Sequence, residues 1–212
     1  MLEILAVSDV EISELENREH RKIDLLINCG DLKPGYLDYL MCEFKASFGV
    51  MVLGNHDNHV PSFPGMYILK QDIINLKKYI NKDVTIAGFS GALAYGDRPF
   101  YFREQEVLPF KLKIKLKKVF GKQIDIILSH SPPYVQDICQ NTSGYHHPSK
   151  QLGEVYMLSS PSMWLYGHAH YDCLDVKVKE SYVLNAVPFK FITYDETAKK
   201  VVEAYPLHTK IT

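Results

Sequence analysis

The chain of 212 residues lacks the features that usually place a sequence early. Its four cysteines, Cys29, Cys42, Cys139 and Cys173, include no CxxC pair. That excludes a zinc-finger spacing and a dense disulfide framework, so four reduced thiols in a cytoplasmic protein are expected. No stretch approaches the roughly 18 consecutive apolar residues of a membrane span, so no membrane partner is expected. Met1–Asp9 carries Glu3 where a secretory signal would carry positive charge, and no signal peptide is expected. An excess of one charge is also missing, because 24 basic and 25 acidic residues give a formal net charge of −1. A general polyanion binder draws on a strong positive field, so nucleic acid is not expected as a partner. With no repeat, low-complexity tract or linker, one domain over residues 1–212 is the expectation.

Nine histidines stand out in an otherwise ordinary composition. Their positions follow a pattern set by short apolar runs. Leu2–Val7 ends at Ser8-Asp9-Val10-Glu11, and Ile23–Ile27 ends at Asn28-Cys29-Gly30-Asp31. Val50–Leu53 ends at Gly54-Asn55-His56-Asp57, Ile124–Leu128 at Ser129-His130, and Met163–Tyr166 at Gly167-His168-Ala169-His170. Apolar runs of four to six residues without alternation suit strands buried on both faces. Tyr36–Ala46, with an amphipathic spacing, lies between the second and third and predicts a crossover helix with parallel pairing. In open α/β sheets ligands bind beyond the carboxyl ends of the strands, so five such ends bearing Asp, Asn, His or Glu predict one site.

Oxygen and imidazole donors without thiolate favour Mn, Fe, Zn, Ni or Co. Two Asp, one Asn, three His and a possible Glu exceed the needs of one tetrahedral ion. They suit two ions roughly 3.5–4 Å apart, the arrangement that clamps both oxygens of a phosphoryl displacement. The order Asp9, Gly30-Asp31, Gly54-Asn55-His56-Asp57, His130 and Gly167-His168-Ala169-His170 resembles the calcineurin-like metallophosphoesterases from Leu2 to about Ala186. The resemblance implies a four-layer α-β-β-α sandwich of two mixed sheets flanked by helices, with a dimetal site at the strand C-terminal ends. It also implies that Asp9 and His170 hold one metal, that Asn55, His130 and His168 hold the other, and that Asp31 bridges them. In this scheme His56 is the acid or phosphoryl stabiliser, Asp57 orients His56, and a water between the metals attacks phosphorus.

One position departs from the family, whose first motif is Asp-x-His where this chain has Asp9-Val10-Glu11. Either Glu11 reaches the first metal, biasing it toward Mn²⁺ or Mg²⁺, or it turns away and leaves that site weak. Substrate contacts are sought in His59, Arg98, His146 and His147, with Tyr95 and Arg103 as further candidates. Lysines 111, 113, 115, 117 and 118 are read as a solvated face, in a segment whose period fits strand or helix and whose place favours a helix. Gln136–Gly153 is read as a long loop. The function expected is metal-dependent hydrolysis of a small soluble phosphate ester, diester or monoester, with Mn preferred. The alternative is a scaffold protein on the same fold, against which His56 argues, since a scaffold has no use for a proton donor.

Overall fold

The alternation of side chains along each strand sorts the apolar runs into layers. In a computed structural model, which describes residues 1–15, 21–57, 65–94, 96, 99–136, 138–139, 146–170 and 173–207, the first seven strands are β1 (Leu2–Val7), β2 (Leu25–Asn28), β3 (Phe48–Met51), β4 (Met66–Ile68), β5 (Gln71–Asn75), β6 (Thr85–Phe89) and β7 (Ala92–Leu93). The rest are β8 (Tyr101–Phe102), β9 (Ile126–Ser129), β10 (Met163–Tyr166), β11 (Val176–Val178), β12 (Ser181–Asn185), β13 (Phe189–Asp195) and β14 (Lys200–Tyr205). The helices are α1 (Pro34–Glu43), α2 (Lys77–Ile80), α3 (Leu108–Val119) and α4 (Lys150–Ser159).

Two six-stranded mixed sheets face each other, with strand orders β14-β13-β1-β2-β3-β4 and β11-β12-β10-β9-β6-β5. In the first, β1 to β4 run parallel and β13 pairs antiparallel with β1. In the second, β12, β10, β9 and β6 run parallel between two antiparallel edge strands. Leu2, Ile4 and Ala6 of β1 meet Ile126, Leu128, Met163 and Leu165 of the other sheet in the central core. The alternate residues Leu5 and Val7 face outward, into a cluster with Leu37 and Leu40 of α1. Ile127, Trp164 and Tyr166 do the same on the second sheet, against Phe110 and Ile114 of α3 and Leu152 and Val155 of α4. The result is the expected four-layer α-β-β-α sandwich.

Three local readings change or resolve. The ambiguous lysine-rich segment is helical, with Phe110 and Ile114 buried one turn apart. The loop expected over Gln136–Gly153 ends earlier, because Ser149 caps α4 by accepting a hydrogen bond from Leu152 N at 3.1 Å. The expectation of four reduced thiols is corrected: Cys139 and Cys173 form a disulfide, and Cys29 and Cys42 remain free thiols. The segments that follow β9 and β10 meet there in an antiparallel bridge, which 34 residues of sequence separation conceal.

Behind the site edge lies a buried ion pair between Lys190 and Asp175, whose side chains are 0% and 4% exposed. Lys190 Nζ lies 2.8 Å from Asp175 Oδ2 and donates to Pro206 O at 2.6 Å. Burial holds the Lys190 ammonium below its usual range, and the Asp175 charge opposes that shift. Removing one member strands the other charge in the interior, at a cost of about 3–5 kcal/mol. Lys190→Met is therefore expected to lower unfolding stability by about that amount in urea titrations. Lys190→Met/Asp175→Asn should recover much of the loss, because the neutral amide keeps an acceptor for Asn185 N.

Candidate metal centre

The five polar strand ends converge at one edge of the sandwich. Asp9 and Asp31 follow β1 and β2, Asn55 to Asp57 follow β3, and His130, His168 and His170 follow β9 and β10. Backbone hydrogen bonds tie these ends together: Asp9 N donates to Gly30 O at 3.1 Å and Gly167 N to His130 O at 3.0 Å. Four of the expected ligands have left-handed backbone, with φ of +62° at Asp9 and Asp31, +64° at His168 and +44° at His170. Non-glycine residues in that region cost about 1–3 kcal/mol each and collect at functional sites, where the surroundings hold them.

Asp9, Asp31 and His130 offer ligand atoms that all lie within 4.8 Å of one another. The His130 side chain is fully buried, with Nδ1 2.7 Å from Cys29 O. Donation from Nδ1 to that carbonyl directs Nε2 into the cluster, where it lies 3.1 Å from both Asp31 Oδ2 and Asn55 Oδ1. Asp31 Oδ1 accepts the His56 backbone N–H at 2.8 Å. Its other oxygen, Oδ2, is buried and faces His130 Nε2. Asp9 Oδ2 accepts from Ser8 Oγ at 2.5 Å and from His168 N at 2.9 Å.

Two glycines make this packing possible. A Cβ at Gly54 would collide with the Asp31 carboxylate and the His130 ring, and one at Gly167 would collide with Ser8 Oγ and Asp9 Oδ2. Only hydrogen fits where the backbone of one strand end rests on the ligand of another.

Other predicted residues fall differently. Asp57 accepts from Gly54 N at 2.7 Å and Asp31 N at 3.1 Å, so its carboxylate joins two strand-end turns and makes no hydrogen bond to the His56 ring. Burial pushes the Asp57 carboxyl up, against the pull of these two N–H donors. The exposed Glu11 carboxylate lies outside the cluster, 3.5 Å from Lys33 Nζ. His56 is exposed at the rim. His146 sits among the site histidines, its ring centroid 4.9 Å from that of His168 and 5.8 Å from that of His170. His147 and Arg103 are exposed. His59, Arg98 and Tyr95 lie outside the described residues.

The sequence reading missed the residues that hold the ligands in place. Ser8 bonds Asp9, Asn28 Oδ1 accepts Gly30 N at 2.9 Å, and Asn185 Nδ2 donates to the carbonyls of His170 and Cys173. Each is the last residue of a strand or the one just after it. A small polar residue ending an otherwise apolar run was the available signal.

The arrangement fits divalent cations on its own chemistry. Two carboxylates converge on a buried imidazole, their ligand atoms lie within 4.8 Å of one another, and the donors are oxygen and imidazole nitrogen.

A family model of calcineurin-like phosphoesterases matches residues 5–172. The chain belongs to that family. This phosphoesterase superposes on one solved structure with a TM-score of 0.61 at 14% identity, covering 97% of this chain and 98% of that one. A dimetal phosphatase from Danio rerio gives a TM-score of 0.49 at 12% identity, covering 90% of this chain and 92% of that one. Vacuolar protein sorting 29 from Cryptosporidium parvum gives 0.45 at 13% identity, covering 90% and 83%. No curated protein matches significantly. The phosphoesterase is thus a hydrolase of a dimetal-dependent family, with a residue cluster able to hold metal.

In the cation-free enzyme, burial disfavours the His130 imidazolium, but Asp31, Asp9 and the hydrogen bonds outweigh it and raise its pKa to about 9. Burial alone would likewise raise the Asp31 carboxyl, yet His130 and the His56 N–H hold it below the usual value. Because the folded pKa of His130 exceeds the ordinary 6.5, its stabilising contribution is full below that pH and is lost as pH rises through about 9. Melting in chelator should therefore show the advantage of wild type over His130→Gln shrinking between about pH 6.5 and 9. Ligation needs the neutral ring, so Mn²⁺ titrated into weakly buffered enzyme near neutral pH should release a proton that His130→Gln does not release.

Proposed function

We propose that this phosphoesterase, acting as one domain over residues 1–212, hydrolyses a small soluble phosphate ester at two divalent cations, with diesters favoured over monoesters. Asp9 and His170 would hold one cation, Asn55, His130 and His168 would hold the other, and Asp31 would contribute to both. The observation that carries this reading is the convergence of Asp9, Asp31 and His130 within 4.8 Å, with His56 anchored beside them. When bound, the cations supply the positive charge that holds the phosphoryl oxygens and lowers the pKa of the attacking water. The carboxylate, amide and imidazole donors suit Mn, Fe, Zn, Ni or Co, and Glu11 as a further ligand of the first cation would favour Mn. Glu11 stands outside the cluster of Asp9, Asp31 and His130, 3.5 Å from Lys33 Nζ.

The chain's own residues do the remaining work. The His56 N–H bond to Asp31 fixes the backbone that presents the exposed imidazole at the rim. From there His56 donates a proton to the leaving oxygen, which matters most for the alkoxide of a diester. Asp57 keeps the turns carrying Asp31 and Gly54 in register through its two N–H bonds. His146 meets the substrate phosphate from beside His168 and His170, with His147, His59 and Arg98 as further contacts.

With bis-p-nitrophenyl phosphate and Mn²⁺, His56→Ala should lower kcat by roughly 10²–10⁴-fold at unchanged metal content. Asp31→Asn should lower both turnover and bound metal measured by elemental analysis. Absence of turnover on both bis- and mono-p-nitrophenyl phosphate under every divalent metal would overturn the reading.

A further inference from the structure

α3 is apolar on two opposite faces. At about 100° per residue, Val107, Phe110 and Ile114 share one side, and all three are buried against the second sheet. Leu108, Leu112, Leu116, Val119 and Phe120 fall on an arc of roughly 120° centred opposite that side. They are 51%, 57%, 49%, 71% and 75% exposed. This row points away from the buried side of the helix, and exposed Met157 and Tyr134 line a surface depression with Lys111 on one flank. A solvated face would carry polar residues at these positions.

Lysines flank the apolar arc on both sides. By the same helical spacing Lys111, Lys115 and Lys118 border one edge, and Lys113 and Lys117 border the other. From Leu108 to Lys122 the chain has six lysines and no acidic residue, although its overall net charge is −1. Lys111 pairs with Glu154, while Lys113 and Lys118 reach the carbonyls of Gln71 and Leu158. These three heads turn back toward the protein body, while Lys115 and Lys117 border the apolar strip on its two sides.

We propose that α3 is an interfacial anchor that docks the enzyme on a bilayer surface rich in anionic lipid. Leu108, Leu112, Leu116 and Phe120 enter the boundary between headgroups and acyl chains, and Lys115 and Lys117 meet the headgroup phosphates. Charge complementarity selects this occupant. A second copy related by a twofold axis would bring lysine flank against lysine flank, whichever way the helices cross. An anionic surface answers both flanks at once and also accepts the apolar row between them. α3 has 12 residues, about 18 Å of helix, so it lies in the interface plane and does not cross it. This docking is independent of the chemistry at the metal centre.

Sedimentation of the full chain with vesicles tests the anchor. Binding is expected to phosphatidylcholine vesicles containing phosphatidylglycerol, to weaken with added salt, and to be absent with phosphatidylcholine alone. Leu112→Ser/Leu116→Ser should lower partitioning at least about tenfold, and Lys115→Gln/Lys117→Gln several-fold. Melting temperature and turnover of bis-p-nitrophenyl phosphate should not change. Because the single native tryptophan, Trp164, is buried, Leu116→Trp should give an emission blue shift on the anionic vesicles that reports insertion of the row. The proposal is overturned if wild type does not sediment with anionic vesicles, or if the leucine variant binds them equally well. It is also overturned if the chain is a solution dimer that Leu112→Ser/Leu116→Ser converts to monomer, which would give the face to a second copy.

Discussion

Two carboxylates, Asp9 and Asp31, are brought close to each other and to a buried imidazole at the edge of a sandwich with an apolar interior. In a medium of reduced dielectric, like charges so placed need a counter-charge or they take up protons. The surrounding structure meets that need in layers. Backbone N–H groups of His56 and His168 point at the carboxylates, and Ser8 donates to Asp9. Asp31 and Asp9 raise the His130 pKa to about 9 against the effect of burial, so its ring adds counter-charge. Divalent cations are the stronger counter-charge, and composition does not count them. The near-zero formal charge of the chain is therefore compatible with a site that attracts phosphate.

Holding those groups together constrains the backbone. Left-handed conformations at Asp9, Asp31, His168 and His170 turn the chain as it leaves its strands. Gly54 and Gly167 allow one turn to rest on the ligand of another. Further back, Asn185 holds the His170 and Cys173 carbonyls, Asp175 accepts from Asn185 N, and Lys190 neutralises Asp175. The Cys139–Cys173 bond ties the segment that leads toward His146 to the one that follows His170. Positioning of the site thus extends well beyond the residues that could touch a metal or a phosphate.

The outer layers divide their tasks. α1 covers the first sheet with Leu37 and Leu40, and α4 covers the second with Leu152 and Val155, each through a single apolar face. α3 uses one face in the same way and leaves a second, bordered by lysines, turned outward. Burial of Phe110 and Ile114 fixes which way that second face points. The feature most easily read as an ordinary charged surface becomes specific only when the buried side of the helix is known.

The chain's own order of residues determined the buried strands and the five polar strand ends, because uninterrupted Ile, Leu and Val runs suit burial on both faces, while the two-sheet class was implied by the family resemblance. The Gly-Asn-His-Asp and Gly-His-Ala-His motifs made the family legible, since their residue types and order carry the chemistry directly. Tertiary structure decided matters that depend on which distant segments meet. It set Glu11 beside Lys33, gave Asp57 two backbone donors, and joined Cys139 to Cys173. It also brought His146 against His168 and His170 and turned the leucines of α3 outward. Spacing along a chain reports local periodicity, whereas a side chain's partner is set by the packing of whole layers, and no local pattern encodes that.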